Sequence, residues 1–317
     1  MSVAKNSLEV HYYFRENDDG HLFDVRKRNR CEHALVQIIA EVARVLDVRV
    51  KVEALPPSEG GFVERIVFSN RLRATAAWMP VVVSSVVELL ALPAKADEAA
   101  KHAVVDALSA AVVRYRDAAA LEVCRARLGE LVSNIKIRKQ KSNFFRCLNG
   151  YHKVVRVGFS FVNPEGAAVE GAQRMVEREG FSSHILLRDE VEPLVLENSS
   201  IQIIAPVLFD SDTYCWKGLF DDQGTQRIIN FVMKDVAFKT QVAEQKIAFK
   251  TGTYLNCVLS IGRRVDAEGN VINTRYTVTL VSDYYDGAGA HIETKQGKEH
   301  RRKAKEEPAQ MQLSFDF

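Results

Sequence analysis

Cysteine is sparse and scattered along this chain. Cys31, Cys124, Cys147, Cys215 and Cys257 are odd in number and widely separated. No CxxC pair is present to found a structural zinc site, and no dense spacing founds a secreted disulfide scaffold. Glycine patterns for phosphate are missing as well. No GxxxxGK(S/T) segment cradles a triphosphate, and no GxGxxG follows the first expected strand. GxSxG is absent, as is a Cys–His or Ser–His constellation, so motif-bearing nucleophilic hydrolases have no support. The start of the chain lacks a positive segment leading into an apolar core, because Glu9, His11, Arg15 and Glu16 arrive too early. A reduced, cytoplasmic compartment is the expectation.

Charge of one sign is also lacking. A formal net charge of +2 argues against wholesale wrapping of nucleic acid, although basic residues do collect locally. A long apolar run is almost present in residues 76–93, AAWMPVVVSSVVELLALP. It approaches the shortest length that crosses a bilayer, yet carries Glu88, two serines and two prolines. A buried helix is expected there. The competing expectation pairs it with the Ala/Val-rich stretch 99–113 as a membrane-engaging element of an antiphage or stress effector.

What is there is an α+β pattern in two halves. Residues 8–14, LEVHYYF, read as a strand rich in β-branched and aromatic side chains. From Cys31 to Leu46 apolar residues recur at 31, 34, 35, 38, 39, 42, 43, 45 and 46, the spacing of an amphipathic helix. Val48, Val50 and Val52 then alternate with Arg49, Lys51 and Glu53, as in a half-buried strand, and FVERIVF follows a Pro/Gly break. The opening is therefore an N-terminal β-α-β-β unit, followed by a helical segment at 97–133. Together they form an expected α/β domain over 1–149. Residues 150–292 are expected to form a mainly antiparallel β domain, with a helix around 167–179 and strands that include HILL at 184–187. DAEGNVIN reads as a hairpin connection, because Gly269 and Asn270 tolerate the positive dihedrals of a turn. From Glu293 charge dominates and apolar side chains nearly vanish, so 293–309 is expected to be a flexible linker in a disordered C-terminal tail.

Hydrophobic residues return at 310–317, QMQLSFDF. Leucine and phenylalanine suit a concave apolar cleft, and the Gln310 amide can donate and accept at its rim. Gln310, Leu313 and Phe315 resemble the bacterial sliding-clamp-binding peptide, in which a leucine follows the glutamine by three residues and an aromatic comes one or two later. Gln312, Leu313 and Ser314 also resemble its shorter form. Asp316 between Phe315 and Phe317 departs from the commonest pattern and leaves the register open. The resemblance implies a sliding clamp as partner, with Gln310, Leu313, Phe315 and Phe317 at the contact.

Two basic clusters could meet DNA or RNA. Arg26, Lys27, Arg28 and Arg30 precede the first clear helix. Lys136, Arg138, Lys139, Lys141 and Arg146 form the second, interleaved with Phe144 and Phe145. Lysine and arginine can contact phosphates while an exposed aromatic stacks on a base. In a strand, Lys136, Arg138 and Gln140 would share one face.

Catalytic candidates are diffuse. His11, His21, Asp24, Glu32 and His33 are chemically dense but match no metal-ligand spacing. Asp210, Asp212, Asp221 and Asp222 flank Trp216 and could serve a divalent-metal nuclease only if they converged near a lysine. No cofactor is expected. The leading expectation is a non-enzymatic DNA-transaction accessory protein recruited to the clamp, with a metal-dependent nuclease and a membrane effector as alternatives.

Overall fold

The structure, a computed structural model, describes residues 5–15, 23–55, 62–69, 76–209, 214–222 and 224–313; the side chains of Leu55, Glu190, 304, 305 and 307–313 are outside that description. The chain is mixed α+β and divides into two units. The first runs to Asp189 and includes Val265–Asn270, and the second holds Glu190–Arg264 and Val271 onward.

The first unit is built on a five-stranded antiparallel sheet. Its strands are β1 (Ser7–Phe14), β2 (Lys51–Leu55), β3 (Phe62–Ser69), β4 (Val154–Val162) and β5 (Ala168–Glu177), in the order β2-β3-β1-β4-β5. Leu8, Val10 and Tyr12 alternate inward along β1, which fixes the face that meets the helices. Helix α1 (Val25–Val45) starts at Asp24, whose carboxylate accepts the Lys27 amide at 2.9 Å. It buries Cys31, Leu35, Ile38, Ile39 and Val42, the face read from the sequence. β4 pairs with β1 from Ser7↔Val162 onward, so the first unit continues past the expected break at 149.

Helix α2 (Met79–Ala91) is apolar on every side, as Val81, Val82, Val83, Val86 and Val87 are all fully buried. Each such side chain contributes about 1.5–3 kcal/mol by leaving water. Its one charge is matched, because Glu88 receives Arg174 at 2.6 Å. The segment 76–93 thus serves the core of this unit, and no helix among the described residues is long and apolar enough to cross a membrane. Helices α3 (Glu98–Tyr115) and α4 (Ala118–Ser133) follow, separated where Asp117 caps the second. Helix α5 (Ile135–Asn149) packs along α1.

Two local expectations need correction. Within 167–179 the chain forms strand β5 at Ala168–Glu177, not a helix. Asn163 accepts the Ala167 amide at 2.8 Å and Gly166 takes φ +85°, so NPEG is a hairpin turn that folds β5 onto β4. HILL is not a strand: Arg178–His184 is a 3-10 turn whose Phe181 is fully buried.

The second unit is a barrel. It comprises β6 (Glu190–Ala205), β7 (Trp216–Asp222), β8 (Thr225–Met233), α6 (Val236–Ala243), β9 (Tyr254–Val265) and β10 (Val271–Tyr285), then β11 (His291–Glu293) and α7 (Lys295–Leu313). β6, β7 and β8 are an antiparallel meander, β9 pairs with both β6 and β10, and β10 closes the ring by running parallel to β8. Ile201, Trp216, Phe220, Phe231, Leu255, Leu259 and Val278 fill it. Gly218 leaves room for that core, since a Cβ there would lie 2.4 Å from Ile201 Cγ2.

The charged segment expected as a linker begins as an anchored helix. The Thr294 hydroxyl accepts the Gly297 amide at 3.0 Å, Gln296 donates to Asp235 and Arg301 to Asp283. Composition alone missed this because polar contacts, not apolar burial, hold these turns.

Candidate nucleic-acid interface

The second basic cluster lies on a helix, and its chemistry is mostly spent inside the first unit. Asn134 caps α5 by accepting the amides of Lys136 and Ile137. Lys136 sits 3.8 Å from Glu41. Arg138 donates to the Ala94 carbonyl at 3.2 Å. Lys139 is 3% exposed and pairs with Asp189 at 2.7 Å, while Lys141 is 2% exposed and donates to the carbonyls of Leu89 and Leu92. The end of α2 has carbonyls without intrahelical donors, and α5 supplies those donors. Phosphate therefore has no access to Lys139 or Lys141 in this arrangement, which corrects the reading of the cluster as one surface. The strand face proposed for Lys136, Arg138 and Gln140 is absent for the same reason. Phe144 and Phe145 are fully buried, 5.2 Å apart edge to face, and are unavailable for stacking on a base.

Arg146 is the exception. It is exposed, donates to Leu186 O at 3.3 Å, and lines a cleft of about 490 Å³ together with Lys27, Arg30, His33, Asn143 and Cys147. The earlier basic run thus contributes Lys27 and Arg30 to this cleft, whereas Arg28 turns away to Glu64 at 2.7 Å. A concave surface with three cationic side chains and the Asn143 amide can hold an anion.

The barrel offers a different kind of surface. Register places Gln202, Leu219 and Ile228 side by side on its outer face, with Lys217 beside Asn230 one step along. Ile203, Gly218 and Ile229 take the inward positions between them. Phe209 and Tyr214 flank the connection from β6 to β7, 58% and 61% exposed, with ring centroids 5.4 Å apart. A cavity of about 870 Å³ shares Gln202 and Leu219 with that face and continues along Ile204, Leu208 and Phe249. Apolar surface edged by Lys217 and Asn230, with two exposed rings on the connection leading into β7, suits planar rings joined by phosphates. In the sequence Tyr214 stands out only among the acidic candidates at 210–222, and neither ring carries a binding role there.

Among the described residues the carboxylate and histidine candidates do not assemble. His11 stacks on Tyr13 at 3.9 Å, and burial lowers its pKa. Asp24 caps α1, Asp221 accepts the Gly224 amide, and Asp222 pairs with Arg227 at 3.8 Å. Among the described residues no group of three His, Cys, Asp or Glu could hold a metal ion. His21, Asp210 and Asp212 lie outside the described residues. Trp216 belongs to the barrel core. Of the clamp-like peptide, Gln310 and Leu313 fall on the backbone of α7, while Phe315 and Phe317 lie outside the described residues. No protein family, curated protein or solved structure matches this chain.

Proposed function

We propose that this chain is a non-enzymatic DNA-transaction accessory protein that holds single-stranded nucleic acid on its barrel and is recruited to the bacterial sliding clamp through Gln310–Phe317. The observation that carries the reading is the outer face of β7 and β8 together with Phe209 and Tyr214, two exposed rings on the connection that leads into β7. Five-stranded Greek-key barrels of the oligonucleotide-binding type use their second and third strands and the loop between the first two, and β7, β8 and the β6–β7 connection hold those places here. Exposed rings select unpaired bases, since a base inside a duplex has both faces already stacked, and each stacked base contributes about 1–3 kcal/mol.

Recruitment rests on the spacing of Gln310, Leu313 and Phe315. Among the described residues, the contacts that tie α7 to the barrel come from Thr294 to Arg301, upstream of the peptide. A clamp threaded on DNA would raise the local concentration of strands around a barrel tethered to it.

Fluorescence anisotropy of the full chain with labelled oligo(dT), an RNA oligomer and a duplex of equal length tests the barrel. Tighter binding of single strands, lost in F209A/Y214A, supports the reading; equal binding of the duplex or an unaffected double variant overturns it. Calorimetry against purified sliding clamp tests recruitment, with L313A/F315A expected to abolish heat of binding while the melting temperature stays unchanged.

A further inference from the structure

Helices α1 and α5 bring together two thiols that lie far apart in the sequence. Cys31 is fully buried between the helices, and its side chain is hydrogen-bonded to that of Cys147. Cys147 is 9% exposed, and its exposure is to the cationic cleft, where it lines the wall with Lys27, Arg30 and Arg146. In its protonated form Cys147 donates to the carbonyl oxygen of Lys27 at 3.4 Å. The pair is thus asymmetric: one thiol reaches the cleft and the other stands behind it.

Charge sharpens that asymmetry. The hydrogen bond from Cys31 and the nearby Lys27 and Arg30 hold the Cys147 thiol at about 7, against the opposing effects of burial and Asp24. Cys31, hydrogen-bonded to Cys147 and buried, is pushed far upward and keeps its proton. The remaining cysteines lack this setting: Cys124 and Cys257 are buried with thiols pushed upward, and Cys215 is exposed. Thiolate character combined with access is what makes a cysteine react.

We propose that Cys147 is a hydroperoxide-reactive thiolate and Cys31 its resolving partner, so that the cleft carries a reversible oxidation site. The Cys147 sulfur attacks the distal oxygen of a hydroperoxide. An S–O bond forms as the O–O bond breaks, and the departing oxygen takes a proton from solvent and leaves as water or alcohol. Lys27 and Arg30 stabilise the negative charge on that leaving oxygen. The Cys31 sulfur then attacks the sulfenic acid, the S–S bond forms as the S–O bond breaks, and water leaves with the Cys31 proton. Two thiols and one hydroperoxide become one disulfide, one water and one further water or alcohol. A thiol reductant returns the pair. This inference stands on the first unit and does not depend on the nucleic-acid reading.

The test uses the full-length protein with one equivalent of hydrogen peroxide, quenched over time and digested under non-reducing conditions for mass spectrometry. The expected result is a peptide pair linked through Cys31 and Cys147, with Cys147 consumed about tenfold faster than exposed Cys215. C31S, checked for folding by its melting curve, should accumulate a sulfenic acid at Cys147 that a dimedone probe traps. Absence of the linked pair in the unmodified protein, or consumption of Cys147 no faster than Cys215, overturns the proposal without needing any variant.

Discussion

The side-chain amine of Lys141 lies 3.0 Å from the carbonyl oxygen of Leu89 and also hydrogen-bonds that of Leu92, so a lysine of α5 closes the end of α2. Burial holds this amine at about 7, down from an ordinary 10.5, with nearby Arg138 acting in the same direction. Because the folded value is the lower one, the folded protein binds fewer protons than the unfolded chain between about pH 7 and 10.5. Stability from this group therefore rises with pH across that window, and the burial penalty is fully present below it. K141M should remove that slope. Its cost at pH 9 is expected at about 1–3 kcal/mol for carbonyls left without a donor, and it should be smaller at pH 6.5. Urea unfolding at both values decides this, and equal losses would refute it.

A second buried charge sits in the same unit with the opposite sign of response. Glu64 accepts Arg28 Nε at 2.7 Å and the Tyr12 hydroxyl at 3.3 Å. Burial nevertheless outweighs both and raises its carboxyl above the usual range. Its contribution to stability is thus fully present below the unfolded carboxylate value and declines as pH rises through the folded one. R28M should cost about 3–5 kcal/mol near neutrality by stranding the charge, and less at pH 5. R28M/E64Q should recover most of the loss. Thermal melts of the two variants at both pH values would show it.

Asp235 is the tie point of the barrel. One carboxylate oxygen accepts the Phe238 amide at 2.9 Å and caps α6; the other accepts the Val281 amide of β10 at 2.7 Å and Gln296 of α7 at 3.0 Å. D235A removes a cap and leaves a buried amide unpaired, for an expected loss of about 2–4 kcal/mol. Q296A should cost far less, since both backbone amides keep their acceptor. Hydrogen exchange at Phe238 and Val281 would separate the two variants.

Local patterns with one dominant cause were legible in the sequence. The 3.6-residue spacing after Cys31, the β-branched and aromatic residues of LEVHYYF and the Gly269–Asn270 turn correspond in turn to α1, β1 and the β9–β10 connection. The basic cluster at 136–146 was misleading for a physical reason. Lysine and arginine look alike in sequence whether they face water or satisfy the carbonyls at the end of a neighbouring helix, and only the packing of α5 beside α2 distinguishes the two. Barrel closure was equally hidden, since the parallel register Tyr276↔Phe231 joins strands separated by a helix and another strand. The cleft needed Arg30 and Arg146 to converge from different helices, which no spacing rule encodes.

Stacking and charge on the barrel face should separate in their salt response. Phe209 and Tyr214 carry no charge, so F209A/Y214A is expected to weaken oligo(dT) binding about 10- to 100-fold with the slope of log K against log salt unchanged. Lys217 is exposed beside Asn230 and positioned for a phosphate. K217A should weaken binding more modestly and flatten the slope by about 0.7, the contribution of one phosphate contact on a single strand. Lys139 and Lys141, being buried, provide the contrast: substituting either should alter stability while leaving the salt slope intact. Titrations at four salt concentrations distinguish these effects. A slope that falls in F209A/Y214A, or stays fixed in K217A, would remove the barrel face as the binding surface.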